Sequence, residues 1–293
     1  MKTKTFKTET YTRLMDIAAA IQTSDSVAIL GLINQLIDQK TRENKPAWIR
    51  EMGKLKAIIQ TDKPAYPIFK LDGNGKLPFA TFSSLPGVTC PGAGDCLEWC
   101  YSFKAWRYPA AFARMAQNAW LMRVHPDKVE KAFKGLPNGI TLRLYVDGDF
   151  AHVADVRFWM ERLRARPDVA AYGYSKSFTE LLAYARLGLG FPSLGLGFPS
   201  NYTLNLSGGH AHTIPTVEQM KLLPITRGSF DAVSIGRKVK STDHGTRETN
   251  AAIRAAVSGN VFPCPGKCGS CTPKGHACGS ERFRNIPIVI AVH

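Results

Sequence analysis

Between residues 10 and 60, apolar side chains return every three or four positions, the period of a helix with one buried face. Leu14, Ile17, Ala18 and Ile21 form one stripe. Ile29, Ile33, Leu36 and Ile37 form a second, behind Ser24-Asp25-Ser26, a run whose side-chain oxygens can cap a helix start. Pro46 suits the first turn of a third helix carrying Trp48, Met52 and Leu55. The spacing predicts a helical N-terminal subdomain over 1–63, without chemistry of its own, ahead of a core over 64–293. Pro64-Ala-Tyr-Pro67 and the hairpin-type Asp72-Gly-Asn-Gly75 separate the two.

Beyond Leu77 short apolar runs alternate with helical stretches. Strands are predicted at Leu77–Phe82, Ile140–Val146, Val169–Tyr174, Tyr202–Leu206, Ala232–Ile235 and Pro287–Val292. Helices are predicted at Phe112–Val124, Val153–Arg166, Phe178–Leu187 and after Pro215. Near-continuous apolar strands alternating with helices belong to a parallel sheet covered by helices. The fold class is therefore α/β: a partial or complete β/α barrel, with an open doubly wound sheet as the alternative. One irregularity, Leu187-Gly-Leu-Gly-Phe-Pro-Ser193 repeated as 194–200, is too short for a solenoid unit and reads as an insertion in a tolerant surface loop.

Composition adds a partner. The 293-residue chain carries +15, and the surplus is uneven: +5 in 1–70, +5 in 101–135 and +6 in 226–293, against near balance in 136–225. Positive charge beside the cysteines points to a polyanion, nucleic acid first. No apolar run approaches the ~20 residues that span a bilayer. The polar N-terminus lacks the apolar segment of a secretory signal, so a cytoplasmic location with reduced thiols is expected. Oligomeric state is not legible.

All seven cysteines fall in two groups. Cys90, Cys96 and Cys100 are spaced C-x5-C-x3-C; Cys264, Cys268, Cys271 and Cys278 are spaced C-x3-C-x2-C-x6-C. Glycine and proline between them let the backbone curl until several sulfurs converge. Four thiols suffice for tetrahedral zinc or a [4Fe–4S] cluster; His276 could replace one of them but reads first as a solvated loop histidine. Three leave one coordination position open, for substrate, cofactor or water. One or two [4Fe–4S] clusters, or zinc, are the expected cofactors.

Three successive strand ends carry polar groups: Asp147-Gly-Asp149, Ser175-Lys176-Ser177 and Ser207-Gly208-Gly209-His210. Carboxyl ends of parallel strands are where β/α proteins put their active residues. Asp147, Asp149 and Lys176 are thus candidate catalytic residues, and Ser175, Ser177, Ser207 and Gly208 candidate cofactor contacts. Tyr101, Phe103, Trp106 and Tyr108, interleaved with Lys104, Arg107 and Arg114, could stack unpaired bases or shield a cluster from solvent.

Ser84-Leu-Pro-Gly-Val-Thr-Cys-Pro-Gly-Ala-Gly94, Trp99-Cys-Tyr101, Val146-Asp-Gly-Asp-Phe150, Tyr172-Gly-Tyr-Ser-Lys-Ser177 and the terminal cysteines together resemble the gene-product-88 family of phage and plasmid proteins, over roughly 80–293. More distantly, the cysteine-rich loop followed by Tyr101 and a β/α repeat is similar to radical S-adenosylmethionine proteins, whose C-x3-C-x2-C spacing recurs in the terminal set. The resemblance implies an iron–sulfur protein of a mobile element, with S-adenosylmethionine as a cofactor and nucleic acid nearby. A non-enzymatic, zinc-stabilised nucleic-acid-binding protein is the rival expectation.

Overall fold

The computed structural model describes residues 9–292 apart from 74–76, 191–196, 238, 241, 270 and 273–274. The first eight residues, the end of the Asp72–Gly75 turn and the junction of the duplicated segment therefore lie outside the described residues.

The N-terminal stripes fold as three helices, α1 (Glu9–Thr23), α2 (Ser26–Arg42) and α3 (Pro46–Thr61). Asp25 caps α2, its carboxylate accepting from the Ala28 amide at 2.9 Å, and Pro46 occupies the first turn of α3. Their buried faces join those of the following residues in one hydrophobic cluster that runs from Leu14 to Ile225. The contact helix is α6 (Pro109–Val124), after two short helical turns α4 (Cys96–Trp99) and α5 (Ser102–Ala105) and before α7 (Pro126–Lys134). Helix α6 is buried nearly all round because α1 and α3 cover the side that the sheet does not.

The remaining elements are β1 (Ala80–Thr81), β2 (Thr141–Leu144), α8 (Val153–Ala165), β3 (Ala170–Ser175), α9 (Phe178–Gly190), β4 (Tyr202–Ser207), α10 (Ile214–Lys221), β5 (Thr226–Val233), α11 (Arg247–Ala256), β6 (Phe262–Pro263) and β7 (Ile288–Ala291). They form one seven-stranded parallel sheet in the order β1-β2-β3-β4-β5-β7-β6. The sheet is open: β1 and β6 are its edges, so the complete barrel is not formed. The first strand is also shorter than Leu77–Phe82. Phe82 and Ser84 nevertheless continue the parallel run, with Phe82 N donating to Arg143 O (3.1 Å) and Ser84 N to Asp147 O (2.8 Å).

Strand order decides what covers each face. Right-handed crossovers between strands laid down in sequence put successive helices on the same side. Leu142, Leu144, Ala171, Tyr202, Leu204 and Leu206 meet α8, α9 and α10 there, in the main core. The alternate residues, Arg143, Tyr172, Tyr174, Asn205 and Phe230, face the other way. That face receives no crossover helix. It is covered by the cysteine-rich tail: Tyr172, Tyr174 and Phe230 pack with Phe79, Cys264, Cys271, Ala277, Cys278 and Phe283.

Two sequence expectations shift for one reason. Strand β5 begins at Thr226, six residues before the predicted Ala232, and α11 has no predicted counterpart. Thr226-Arg227-Gly228-Ser229 reads as polar loop but is buried under the tail, where Arg227 is fully enclosed and satisfied. Arg227 Nε donates to Asn205 Oδ1 at 2.6 Å, and its other nitrogens donate to the carbonyls of Phe283, Ile286 and Ser229 at 2.7–2.9 Å.

Candidate functional site

The loop carrying the first cysteine set leaves β1 and lies across the carboxyl ends of β3 and β4. Gly94 N and Cys96 N both donate to Gly209 O, at 3.1 and 3.2 Å, and Ala211 N donates back to Gly92 O at 3.0 Å. A Cβ on Gly92 would overlap the Lys176 carbonyl and His212 Nε2, so only glycine lets the loop seat this closely. His212 Nε2 is itself hydrogen-bonded to Lys176 O at 2.6 Å and its ring stacks on Phe178, 4.6 Å between centroids.

The predicted rim is partly one hydrogen-bonded unit. Asp149 Oδ1 accepts from Ser175 Oγ (2.7 Å) and Phe150 N (2.9 Å), and Oδ2 accepts from Lys176 N (2.6 Å). Lys176 Nζ reaches on to Ser207 Oγ at 2.7 Å, joining the ends of β3 and β4. Asp149, Ser175 and Ser177 are buried, and Ser177 Oγ has no partner. These groups brace the rim from beneath, while Lys176 and Ser207 are half-buried and form its surface. Gly208 backs directly onto the Asp231 carboxylate, which takes the space a side chain would need.

Asp147 turns away from Asp149, across Gly148 at φ +76°. Its neighbours are the hydroxyls of Ser102 and Ser83 and the guanidinium groups of Arg143 and Arg114. Burial pushes both carboxyls above the ordinary range; hydrogen bonds and nearby cations pull the other way.

All seven cysteines are free and either buried or half-buried. Within the first set, burial and the Asp149 charge raise the Cys90 thiol, with Cys100 adding to it, while Lys176 opposes. Burial and Cys96 likewise raise Cys100. In the second set, burial pushes Cys264 up to about 12, with Cys278, Cys268 and Cys271 contributing, and Cys278 up to about 11. Each set is therefore close enough for its sulfurs to oppose one another's ionisation. Metal binding to thiols displaces their protons. Among the described residues, no three His, Cys, Asp or Glu side chains stand in metal-holding geometry. The donor chemistry fits a thiolate-bound centre in both sets. His276 is engaged elsewhere: its Nδ1 accepts from Gly279 N at 3.2 Å, its ring lies against Tyr172 and Phe79, and burial holds it neutral, down at about 4.

The tail is built onto the sheet by its backbone. Cys264 N donates to Val289 O (2.7 Å), Asn205 Nδ2 to Cys278 O (2.9 Å) and Ala277 N to Cys271 Sγ (3.4 Å). A profile of the family described as Gene product 88 matches residues 48–284, from α3 to the far side of the last cysteine.

The chain belongs to the Gene product 88 family.

The match starts within the N-terminal helices, so the Gene product 88 unit takes in most of α3, strands β1 to β6 and both cysteine sets, while β7 lies beyond it. No curated protein and no solved structure matches the chain. No helix among the described residues is long and apolar enough to cross a membrane.

Sequence reasoning missed Arg143, which lies on the helix-free face of β2 with its guanidinium 4.7 Å from the Tyr174 ring. It is within electrostatic reach of both Tyr101, next to Cys100, and Cys268. The signal was present: one charge inside Thr141-Leu-Arg-Leu144, an otherwise apolar strand of a parallel sheet, requires a reason. Tyr101 belongs to the same place. It is 53% exposed, yet its hydroxyl donates to Val146 O at 2.7 Å and its surroundings raise its pKa by desolvation. Tyr101 thus stands at the surface, within electrostatic reach of Arg143.

Proposed function

We propose that this Gene product 88 protein is a cytoplasmic iron–sulfur protein of a phage or plasmid, akin to radical S-adenosylmethionine proteins and working on or near nucleic acid. One observation carries the reading: a three-cysteine loop is bound by main-chain hydrogen bonds to the carboxyl edge of an open parallel sheet, beside Lys176 and Ser207. Cys90, Cys96 and Cys100 would hold one cluster and Cys264, Cys268, Cys271 and Cys278 a second cluster or zinc. A [4Fe–4S] cluster on three thiolates supplies electrons at an iron that no protein ligand occupies.

The chain's own groups then divide the work. Lys176 offers its ammonium at the rim to a carboxylate or phosphate, positioned by Ser207. Asp149 fixes the Lys176 backbone and Ser175, so it acts as a positioning residue. Asp147 is the carboxylate beside the Arg143 and Arg114 guanidinium groups and is the better placed of the two to move a proton. The +15 charge supports a polyanionic partner, whose affinity would fall steeply with salt.

The rival reading, a zinc-stabilised nucleic-acid-binding protein without catalysis, is favoured by the four-thiol set, which by itself suffices for a closed tetrahedral site. Anaerobic purification followed by iron, zinc and acid-labile sulfide analysis separates the two. Iron with sulfide and a broad visible absorption supports the cluster, and Cys96→Ala should remove one centre while leaving the tail's intact. Stoichiometric zinc on a colourless protein overturns it.

A further inference from the structure

Arg143, on the helix-free face, and Arg114, on α6, both lie within electrostatic reach of Asp147. Arg143 emerges from the middle of β2, with Thr81 of β1 and Tyr172 of β3 as its lateral neighbours. Its guanidinium lies on the Tyr174 ring, a contact that uses the flat face of the cation and leaves its N–H edge free. The Nε is buried and has no hydrogen-bond partner among the described residues. A buried donor on a charged group left unmade is costly, and folded proteins keep one where something else fills it.

The local charge does not balance. Asp147 answers two guanidinium groups, Arg143 and Arg114, which leaves one positive charge in excess. Tyr101, with its hydroxyl tied to Val146 O, stands beside these groups and reaches solvent. A cluster with surplus guanidinium charge, an unused planar N–H edge and a neighbour open to solvent has the features of an oxyanion receptor.

We propose that the cluster of Arg143, Arg114 and Tyr101 binds the oxyanion of a small ligand, a carboxylate or a phosphate monoester, with Arg143 as the bidentate contact. Stacking on Tyr174 fixes the plane in which the oxyanion is gripped. Asp147 keeps the empty site from carrying two uncompensated cations.

The test uses the full chain, in low salt, with inorganic phosphate and acetate as separate probes. Thermal melting and the phosphorus-31 line width of phosphate are the readouts. The expected result is saturable stabilisation and line broadening in the native protein by at least one probe. Arg143→Gln and Arg114→Gln should each weaken binding about 10- to 100-fold. Arg143→Lys, which keeps the charge but not the fork, should also weaken it, guarding against a glutamine variant that fails to fold. Phosphate acting alone identifies a phosphate ligand; acetate acting as well, or alone, identifies a carboxylate. No saturable effect in the native protein overturns the proposal. So does equal binding by Arg143→Lys and native protein, or a loss as large in the exposed control Arg254→Gln.

Discussion

Arg227 donates through Nε to Asn205 Oδ1 at 2.6 Å, and both side chains are wholly withdrawn from solvent. Asn205 holds the Cys278 carbonyl with its amide nitrogen, while Arg227 holds the Phe283 and Ile286 carbonyls. Two side chains from β4 and β5 thus clamp the segment at Cys278's 3-10 turn and on its C-terminal side.

Arg227→Met should therefore release the tail more than it disturbs the sheet. It leaves Asn205 Oδ1 and three carbonyls without their donor, a loss on the order of 3 kcal/mol. Limited proteolysis should show cleavage between Cys264 and Ile286 well before the helical core is cut. Any metal held by the four-cysteine set should be released with it, while the first set is unaffected. Unchanged protection of that segment would refute the clamp.

Gly92→Ala addresses the other loop. The added methyl meets the Lys176 carbonyl and His212 Nε2, both held in place, so the loop must lift from the Gly209 carbonyl. Helical content and melting of the core should change little, whereas thiol titration of Cys90, Cys96 and Cys100 should become markedly faster. An equally slow reaction would mean that the loop tolerates the methyl in place.

Asp149→Asn should weaken the rim by about 1–3 kcal/mol, because the amide nitrogen cannot accept from a backbone or hydroxyl donor. The Asp149 carboxyl takes three such donors. Hydrogen exchange at the Lys176 amide reads the loss directly, and Ser175→Ala should produce a smaller change at the same amide.

Acid should loosen the junction of α3 with the linker that follows. Glu51 is buried; burial pushes its carboxyl upward, but the Tyr66 hydroxyl at 2.5 Å, with Arg50 and Lys54, outweighs that and holds it down at about 2. A depressed carboxylate contributes stability that is fully present above its unfolded value of 4.5 and is lost as pH falls toward 2. Glu51→Gln should flatten the stability profile of the native protein across that window. A profile that stays as steep in Glu51→Gln assigns the acid sensitivity to other groups.

How much of this could be read from the residues depends on the range of the interactions that fix them. The three N-terminal helices were legible because cap, first-turn proline and apolar stripe lie within a few positions of one another, as Asp25, Pro46 and the Ile29–Leu36 face show. The polar strand ends were legible too, since a strand's carboxyl end is a local property. Arg227 and Asn205 were not, because a polar residue inside a strand is explained only by a segment more than fifty residues away. The first four positions of β5 read as loop for that reason. Closure of the sheet was equally out of reach, as six strand–helix units suit either an open or a closed arrangement, and only the pairing at both edges distinguishes them.

The position of β7 has a consequence for how the molecule is made. It is the last strand in sequence, yet it lies between β5 and β6. While the chain emerges from the ribosome, β5 and β6 have no partner in common, and the gap between them remains open through the whole cysteine tail. Only when Ile288–Ala291 appears can it thread between them, bonding Phe230 on one side and Phe262 on the other. Delivery of the four tail thiols to the sheet and closure of that gap are then a single late event. A cofactor inserted there would find its receptor finished only once β7 is in place.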